Sequence, residues 1–427
     1  MGMNVKSQNS LHCIHGRKAL VFASLLFMVT LVSFCFVWVF TNVSPFALGA
    51  PDKMVSDETE LQNAINSASK PIVIVLDSDI KLTESLIIPY AKDITLTSDN
   101  KTGFFKLIGA NEVSTIVVDK GGVLRLDGVI VTHMGEDDGN GVFVNFGGVL
   151  YLSGGVISNN NAVLDVSKGS DTGVGGGVFN CGSFSMSGGE IFNNTARAGG
   201  GVFNTGYEFS MSGGKISNNT AYFSGGGVDN YNGKVSLYDG IISGNKAVQG
   251  GGVFNVWNSF DMSGGMISDN IAEDKGGGVY NYYAFSNFNL YDGVVFNNTA
   301  PIGGGVCTDG DFNMSGGVIS GNTAKYNGGG VYVGNGVFSN TDGVISDNTA
   351  PNGNDVYNSN GNDGSGSGGT DESTNNSGSE SSMSGYSLMD IVIVVVISVG
   401  VVAGALFFYF KKKIAQIEAK LNNPVNN

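Results

Sequence analysis

Basic residues, cysteine, proline and histidine are all scarce in this chain. Lysine and arginine number 22 against 37 aspartates and glutamates, for a formal charge of −15 over 427 residues. Such a balance speaks against nucleic acid as a partner, because phosphates are held by a basic surface. Only four cysteines are present. Cys13 and Cys35 fall in the amino-terminal leader, while Cys181 and Cys307 lie five repeats apart. At one strand spacing per repeat that is about 24 Å, far beyond the reach of a disulfide, so both read as free thiols. Seven prolines leave turn-making to glycine, of which there are 67. One histidine, His133, stands outside the leader. Arg125 and Arg197, the arginines between the two terminal hydrophobic segments, are too far apart in the repeat to share a site.

What the chain has in abundance is one phrase of about 25 residues. It runs FSMSGGEIFNNT from Phe184 and returns from Phe209, Val235, Phe260, Phe288, Phe312 and Phe338, with weaker copies from Leu150 and Leu124. The alternation of Phe184 and Met186, or Val178 and Asn180, has the period of a strand. Turns of Ser-Gly-Gly, Asn-Asn-Thr and Gly-Gly-Gly separate the strands. Three short strands and three bends make one coil of a right-handed parallel β-helix solenoid. The backbone entropy of ordering such a unit exceeds what its four or five buried side chains return, so the copies fold only by stacking.

Alignment of the copies gives columns. Val178, Val202, Val228, Val253, Val279, Val306, Val331 and Val356 form one, expected to point inward. Asn160, Asn194, Asn219, Asn245, Asn270, Asn298, Asn322 and Asn348 form another, expected to line a tight left-handed bend and to bond from coil to coil. The residue after each valine should point away from the core. That row is Phe179, Phe203, Asp229, Phe254, Tyr280, Cys307, Tyr332 and Tyr357, and Asp229 within it supports the outward reading. Two readings stand side by side. The rings stack on one another or under turn residues, or they form a binding face with Trp257 and Tyr283 for a glycan or a surface protein.

The ends set the topology. Lys6, Arg17 and Lys18 precede an apolar run over 19–40, and Ala47 and Gly49 suit signal peptidase, so 1–49 reads as a signal peptide or signal anchor. Residues 50–123 read as an amino-terminal cap with irregular first coils. In it Asp57-Glu58-Thr59-Glu60 opens an amphipathic helix carrying Leu61, Ala64, Ile65 and Ala68. The repeat body covers 124–358, and 359–386 is a flexible Gly/Ser/acidic linker. Residues 387–410 are apolar for the thickness of a bilayer and are followed by Lys411, Lys412 and Lys413, so 411–427 is a cytoplasmic tail. The expectation is a single-pass cell-surface protein with its body outside.

The arrangement resembles the adhesin-like surface proteins of methanogens and other archaea, which carry right-handed β-helix repeats. Gly199-Gly200-Gly201-Val202 followed by Ile216-Ser217-Asn218-Asn219 is also similar to the repeat of chlamydial polymorphic membrane proteins. The chlamydial proteins end in a membrane β-barrel, whereas this chain ends in an apolar segment with a lysine stop. The resemblance implies a non-catalytic adhesin-like protein without cofactor. A surface polysaccharide lyase or hydrolase and a structural cell-envelope spacer are the alternatives. Ser339-Asn340-Thr341-Asp342-Gly343 and Asp137-Asp138 look superficially like polygalacturonase motifs, but their order is reversed and no Gly-His-Gly or Arg-x-Lys accompanies them. His133 beside Glu136, Asp137 and Asp138 could offer oxygen ligands to Ca²⁺, but without the alternating pattern of a calcium loop, so no metal site is assigned. Asn193, Asn218, Asn297, Asn313 and Asn375 open candidate N-glycosylation sequons.

Overall fold

A computed structural model describes residues 51–98, 103–134, 139–162 and 173–359. The segments 1–49 and 387–410, the linker beyond Ser359, the tail, Asn375 and the acidic residues 136–138 all lie outside the described residues. Over the described part the chain winds as a parallel β-solenoid with three sheets of eighteen, eleven and seven strands.

One coil shows how the repeat maps onto the sheets. Val202–Asn204 enters the eleven-stranded sheet, Glu208–Ser217 crosses the long sheet, and Thr220–Ser224 runs in the short one. Gly225, Gly226 and Gly227 then turn the chain back to Val228. Neighbouring coils pair in parallel and in register, valine over valine from Val178 through Val202, Val228, Val253, Val279, Val306 and Val331 to Val356. Each of these valines is buried except Val356 in the last coil, which is half-buried.

Apolar side chains from the long sheet fill the rest of the core. Phe184 stacks on Phe209 with ring centroids 4.7 Å apart, and Phe260, Phe288, Phe312 and Phe338 continue a second stack at 4.7–5.0 Å. One ring per coil at the strand spacing is the geometry that offset stacking favours.

The triple-glycine turn needs glycine for two separate reasons. Gly199 has φ +63°, in the left-handed region. At Gly201 a Cβ would sit 2.6 Å from the carbonyl oxygen of Gly227 in the next coil, so only glycine allows the backbones to approach.

The upstream coils stack on the same long sheet. Ile72–Leu76 pairs with Asp93–Ser98, and Lys53–Val55 pairs with Ile72–Leu76 in turn. Helix α1, Glu58–Ser67, begins at Asp57, whose carboxylate accepts from the Glu60 backbone N–H at 2.8 Å. Glu60 in turn accepts from the backbone N–H of Ser56, the residue before the cap, at 2.9 Å, a variant of the capping box shifted by one residue. Leu61, Ala64 and Ile65 are buried in the main core cluster.

Candidate functional site

Two buried asparagine ladders fix the corners on which any surface site must be built. In the first, Asn194 Nδ2 donates to Asn219 Oδ1 at 3.0 Å, Asn219 to Asn245, Asn245 to Asn270, and so on to Asn348. Each Oδ1 also accepts the backbone N–H of the preceding ladder residue. The column therefore binds coils together, as expected. The left-handed backbone expected for it belongs instead to the residue before it: Asn193, Asn218 and Asn297 all have φ +54°, and Asp269 and Asp347 have φ +58°.

The ladder ends on different chemistry. At its start His133 Nδ1 lies 2.9 Å from Asn160 Oδ1, and Nε2 lies 3.0 Å from the Val113 carbonyl oxygen. His133 is buried there, in the interior and not displayed on an acidic loop. At the far end Asn348 Nδ2 donates to Asp355 Oδ1 at 2.9 Å, so a carboxylate stands in for the missing next asparagine.

The second ladder was not anticipated. Asn180, Asn204, Asn230, Asn255 and Asn281 are all buried, and each Nδ2 donates to the next Oδ1 at 2.7–2.8 Å. Thr308 receives the last of these at 3.1 Å. The signal was the Val-x-Asn spacing, which places an asparagine two residues after the core valine in five successive coils, at the corner leading into the long sheet.

The outward row must be corrected. Phe254, Tyr280 and Cys307 are buried, together with Asp229, and Phe179, Phe203, Tyr332 and Tyr357 are half-buried. They do point away from the main core, but Phe254, Tyr280 and Cys307, with Tyr332 against them, enter a second apolar compartment between the eleven-stranded sheet and the end of the short sheet. Phe254, Val256, Tyr280 and Cys307 form its centre, with Tyr282, Ile302 and Tyr332 against them. Phe254 meets Tyr280 edge-on at 5.5 Å, and the Tyr280 hydroxyl donates to Asp309 Oδ2 at 2.6 Å. Burial and that carboxylate push the Tyr280 hydroxyl far up from its ordinary value, and burial pushes both the Cys307 and Cys181 thiols up. Both cysteines are free. Phe143, Phe179 and Phe203 form a separate stack at 5.0 and 5.6 Å, divided from Phe254 by Asp229, and Tyr332 stacks on Tyr357 at 5.6 Å.

Trp257 and Tyr283 behave differently. They sit in the turn between the eleven-stranded and the long sheets with φ +72° and +69°, and they are 46% and 43% exposed. Their rings lie 5.0 Å apart. The Trp257 backbone N–H donates to Ser286 Oγ at 2.9 Å, tying its turn to the next coil. Along the same corner Phe146, Tyr207, Tyr231 and Phe285 are also exposed, and Phe146 approaches Tyr207 at 5.4 Å. Along this corner the exposed aromatics lie in or at the edge of the turns over the second ladder, not at the positions directly after the valines.

The remaining candidates separate. Arg125 pairs with Asp93 at 3.2 Å and lies over the Tyr151 ring at 4.4 Å, both on the long sheet, whereas Arg197 lies exposed in the short one. Ser339 and Asn340 pair with Asn313 and Met314, so this segment occupies the register of the Met-Ser-Gly-Gly copies. Among the described residues no three His, Cys, Asp or Glu side chains converge on a metal position. Asn193, Asn218, Asn297 and Asn313 are exposed. Compared with protein-family models, with curated proteins and with solved structures, this chain matches none.

Proposed function

We propose that this chain is a non-catalytic, adhesin-like cell-surface protein whose solenoid presents an aromatic corner to a glycan or a surface protein. The supporting observation is the exposed row Tyr207, Tyr231, Trp257, Tyr283 and Phe285 on a backbone made rigid by the ladder beneath it. Aromatic faces of this kind bind sugar rings or apolar side chains at small entropic cost, because the rings are already held. In this reading the coil winds right-handed, as crossovers between parallel strands do. Helix α1 closes the amino end of the stack, shielding strand edges that would otherwise recruit other chains. Segment 1–49 exports the protein, 387–410 spans the membrane, and 359–386 tethers the body outside. The exposed sequons Asn193, Asn218 and Asn297 sit at the opposite bend, before the short sheet, where glycans would leave the aromatic corner open.

The test is the double variant Trp257→Ala, Tyr283→Ala in the full-length chain displayed on cells. Binding to a glycan array or to partner cells should fall at least tenfold with the thermal transition unchanged. Undiminished binding would sink the corner as the contact surface.

A further inference from the structure

Strand alternation on the long sheet sends one row of side chains outward that stays in register through the last five coils. Ile241 pairs with Met266, Met266 with Val294, Val294 with Val318 and Val318 with Val344. The inward residues that follow them, Ile242, Ile267, Val295 and Ile319, are buried, and Ile345 in the last coil is half-buried. The outward five are not: Ile241 is 38% and Val344 52% exposed, and Met266, Val294 and Val318 between them are half-buried. Phe296, two residues past Val294, is also exposed and widens the stripe. One coil before Ile241 the row becomes Lys215, and before that Glu190, so the apolar stripe begins at Ile241. An apolar row continuous over five coils on the outside of a sheet marks a surface that meets a partner.

The charges beside the stripe are all of one sign. Asp239, Asp292 and Asp342 precede its residues by two positions, Asp269 and Asp347 follow by three, and all five are exposed. No lysine or arginine stands within three residues of any of the five apolar positions. Among the described residues none of these aspartates forms an ion pair. Asp239 Oδ1 accepts from the Gly240 N–H and Asp292 Oδ1 from the Gly293 N–H, both at 2.7 Å, and Asp269 Oδ1 accepts from Asn297 Nδ2 at 2.6 Å. Neutral donors thus hold these carboxylates in place, with the second oxygen left for a cation. A second copy of this chain would set five aspartates against five, and an anionic lipid surface would be repelled in the same way. The partner that complements the face is apolar along one line and cationic beside it.

The spacing selects the partner's backbone. Stacked strands set the five side chains about 4.8 Å apart. A helix laid along the stripe returns its apolar face once a turn, about every 5.4 Å. An extended strand returns the same side about every 6.8 Å. Over four intervals the helix falls about 2 Å out of step and the strand about 8 Å, so the helix alone keeps an apolar residue near each position.

We propose that the stripe from Ile241 to Val344 docks a cationic amphipathic helix, with its lysines or arginines set against Asp239, Asp269, Asp292, Asp342 and Asp347. This surface is separate from the Trp257 corner and does not depend on it.

Fluorescence anisotropy tests the docking, with the full-length protein titrated into a labelled peptide of about 15 residues, four helical turns, made of leucine and lysine with leucine at every third or fourth position. A peptide of the same composition with leucine and lysine alternating should bind at least tenfold more weakly, and so should one with glutamate in place of lysine. Met266→Lys and Val294→Lys should each weaken binding at least tenfold. Asp239→Asn with Asp292→Asn should weaken it at least fivefold, whereas Asp77→Asn with Glu84→Gln, which removes the same charge in the first coils, should change it less than twofold. Absence of binding to the first peptide, or unchanged binding in both lysine variants, would overturn the proposal. Equal affinity for the alternating peptide, or equal losses in the two charge-removing variants, would overturn it too, by reducing the contact to net charge. Should Met266→Lys and Val294→Lys lack a normal melting transition, Ile241→Lys with Val344→Lys, at the exposed ends of the stripe, decides by the same criterion.

Discussion

Asp229 occupies a position filled by phenylalanine in the coils on either side, where it pairs with Phe203 and Phe254. Its Oδ2 is bonded to the Ser224 hydroxyl, while Oδ1 is buried with no hydrogen-bond partner among the described residues. Burial raises its carboxyl from an ordinary 3.8 to about 7, against a smaller downward pull from Ser224. The folded state thus holds a proton that the unfolded chain has released above pH 4. Stability should be greatest at acid pH, fall by a few kcal/mol as pH rises from about 4 to about 7, and stay level above that. Asp229→Asn, which keeps the shape without the charge, should flatten that slope and be the more stable form at pH 8. Urea denaturation from pH 4 to 8 measures both. In sequence this aspartate argued for solvent exposure, and the argument was sound only as far as direction. The side chain does leave the main core, but the end of the short sheet covers it, a fact that strand alternation has no means of expressing.

At the scale of the element, the asparagine ladders substitute for what a strand cannot supply at a corner, where the backbone turns out of the sheet. Asn245 illustrates the density of bonding. Its Nδ2 donates to Asn270 Oδ1 and to the Ile216 carbonyl, and its Oδ1 accepts from both the backbone N–H and the Nδ2 of Asn219. Asn245→Ala should therefore leave several buried groups unpaired and cost on the order of 3 kcal/mol, given about 1–3 kcal/mol per orphaned group. Asn313→Ala, an exposed asparagine on the long sheet, should cost far less, and chemical denaturation of the two variants gives the comparison. The first ladder was legible because eight asparagines recur without exception. The second, from Asn180 to Asn281, recurs as regularly through five coils but was hidden beside the valine column. Alternation puts Asn180 on the same side as Val178, but strand period alone does not tell a buried amide bonded to the next coil from one facing water.

For the whole solenoid, in-register stacking makes the coil the unit of deletion. Removing 253–278 joins Gly252 to Val279 and restores a triple-glycine turn before a core valine. That variant should fold and keep its cooperative melt, with the body shorter by about one strand spacing, 4.8 Å. Removing 253–265 alone takes away Val253–Val256 and most of Ser259–Ser268, each paired to the coils on both sides, and should not fold. Small-angle scattering and thermal melting of both variants make the comparison.

The repeat by itself determined the solenoid. A unit too glycine-rich to bury its own apolar face has stable partners only in its copies, so periodicity dictates parallel stacking, the valine core and the first ladder. Which outward aromatics meet solvent was decided by the tertiary structure alone. Exposure depends on how close two sheets come at a corner, and that distance is set by glycine turns whose carbonyls touch the next coil. Those contacts buried Phe254 and Tyr280 and left Trp257 and Tyr283 exposed at the corner.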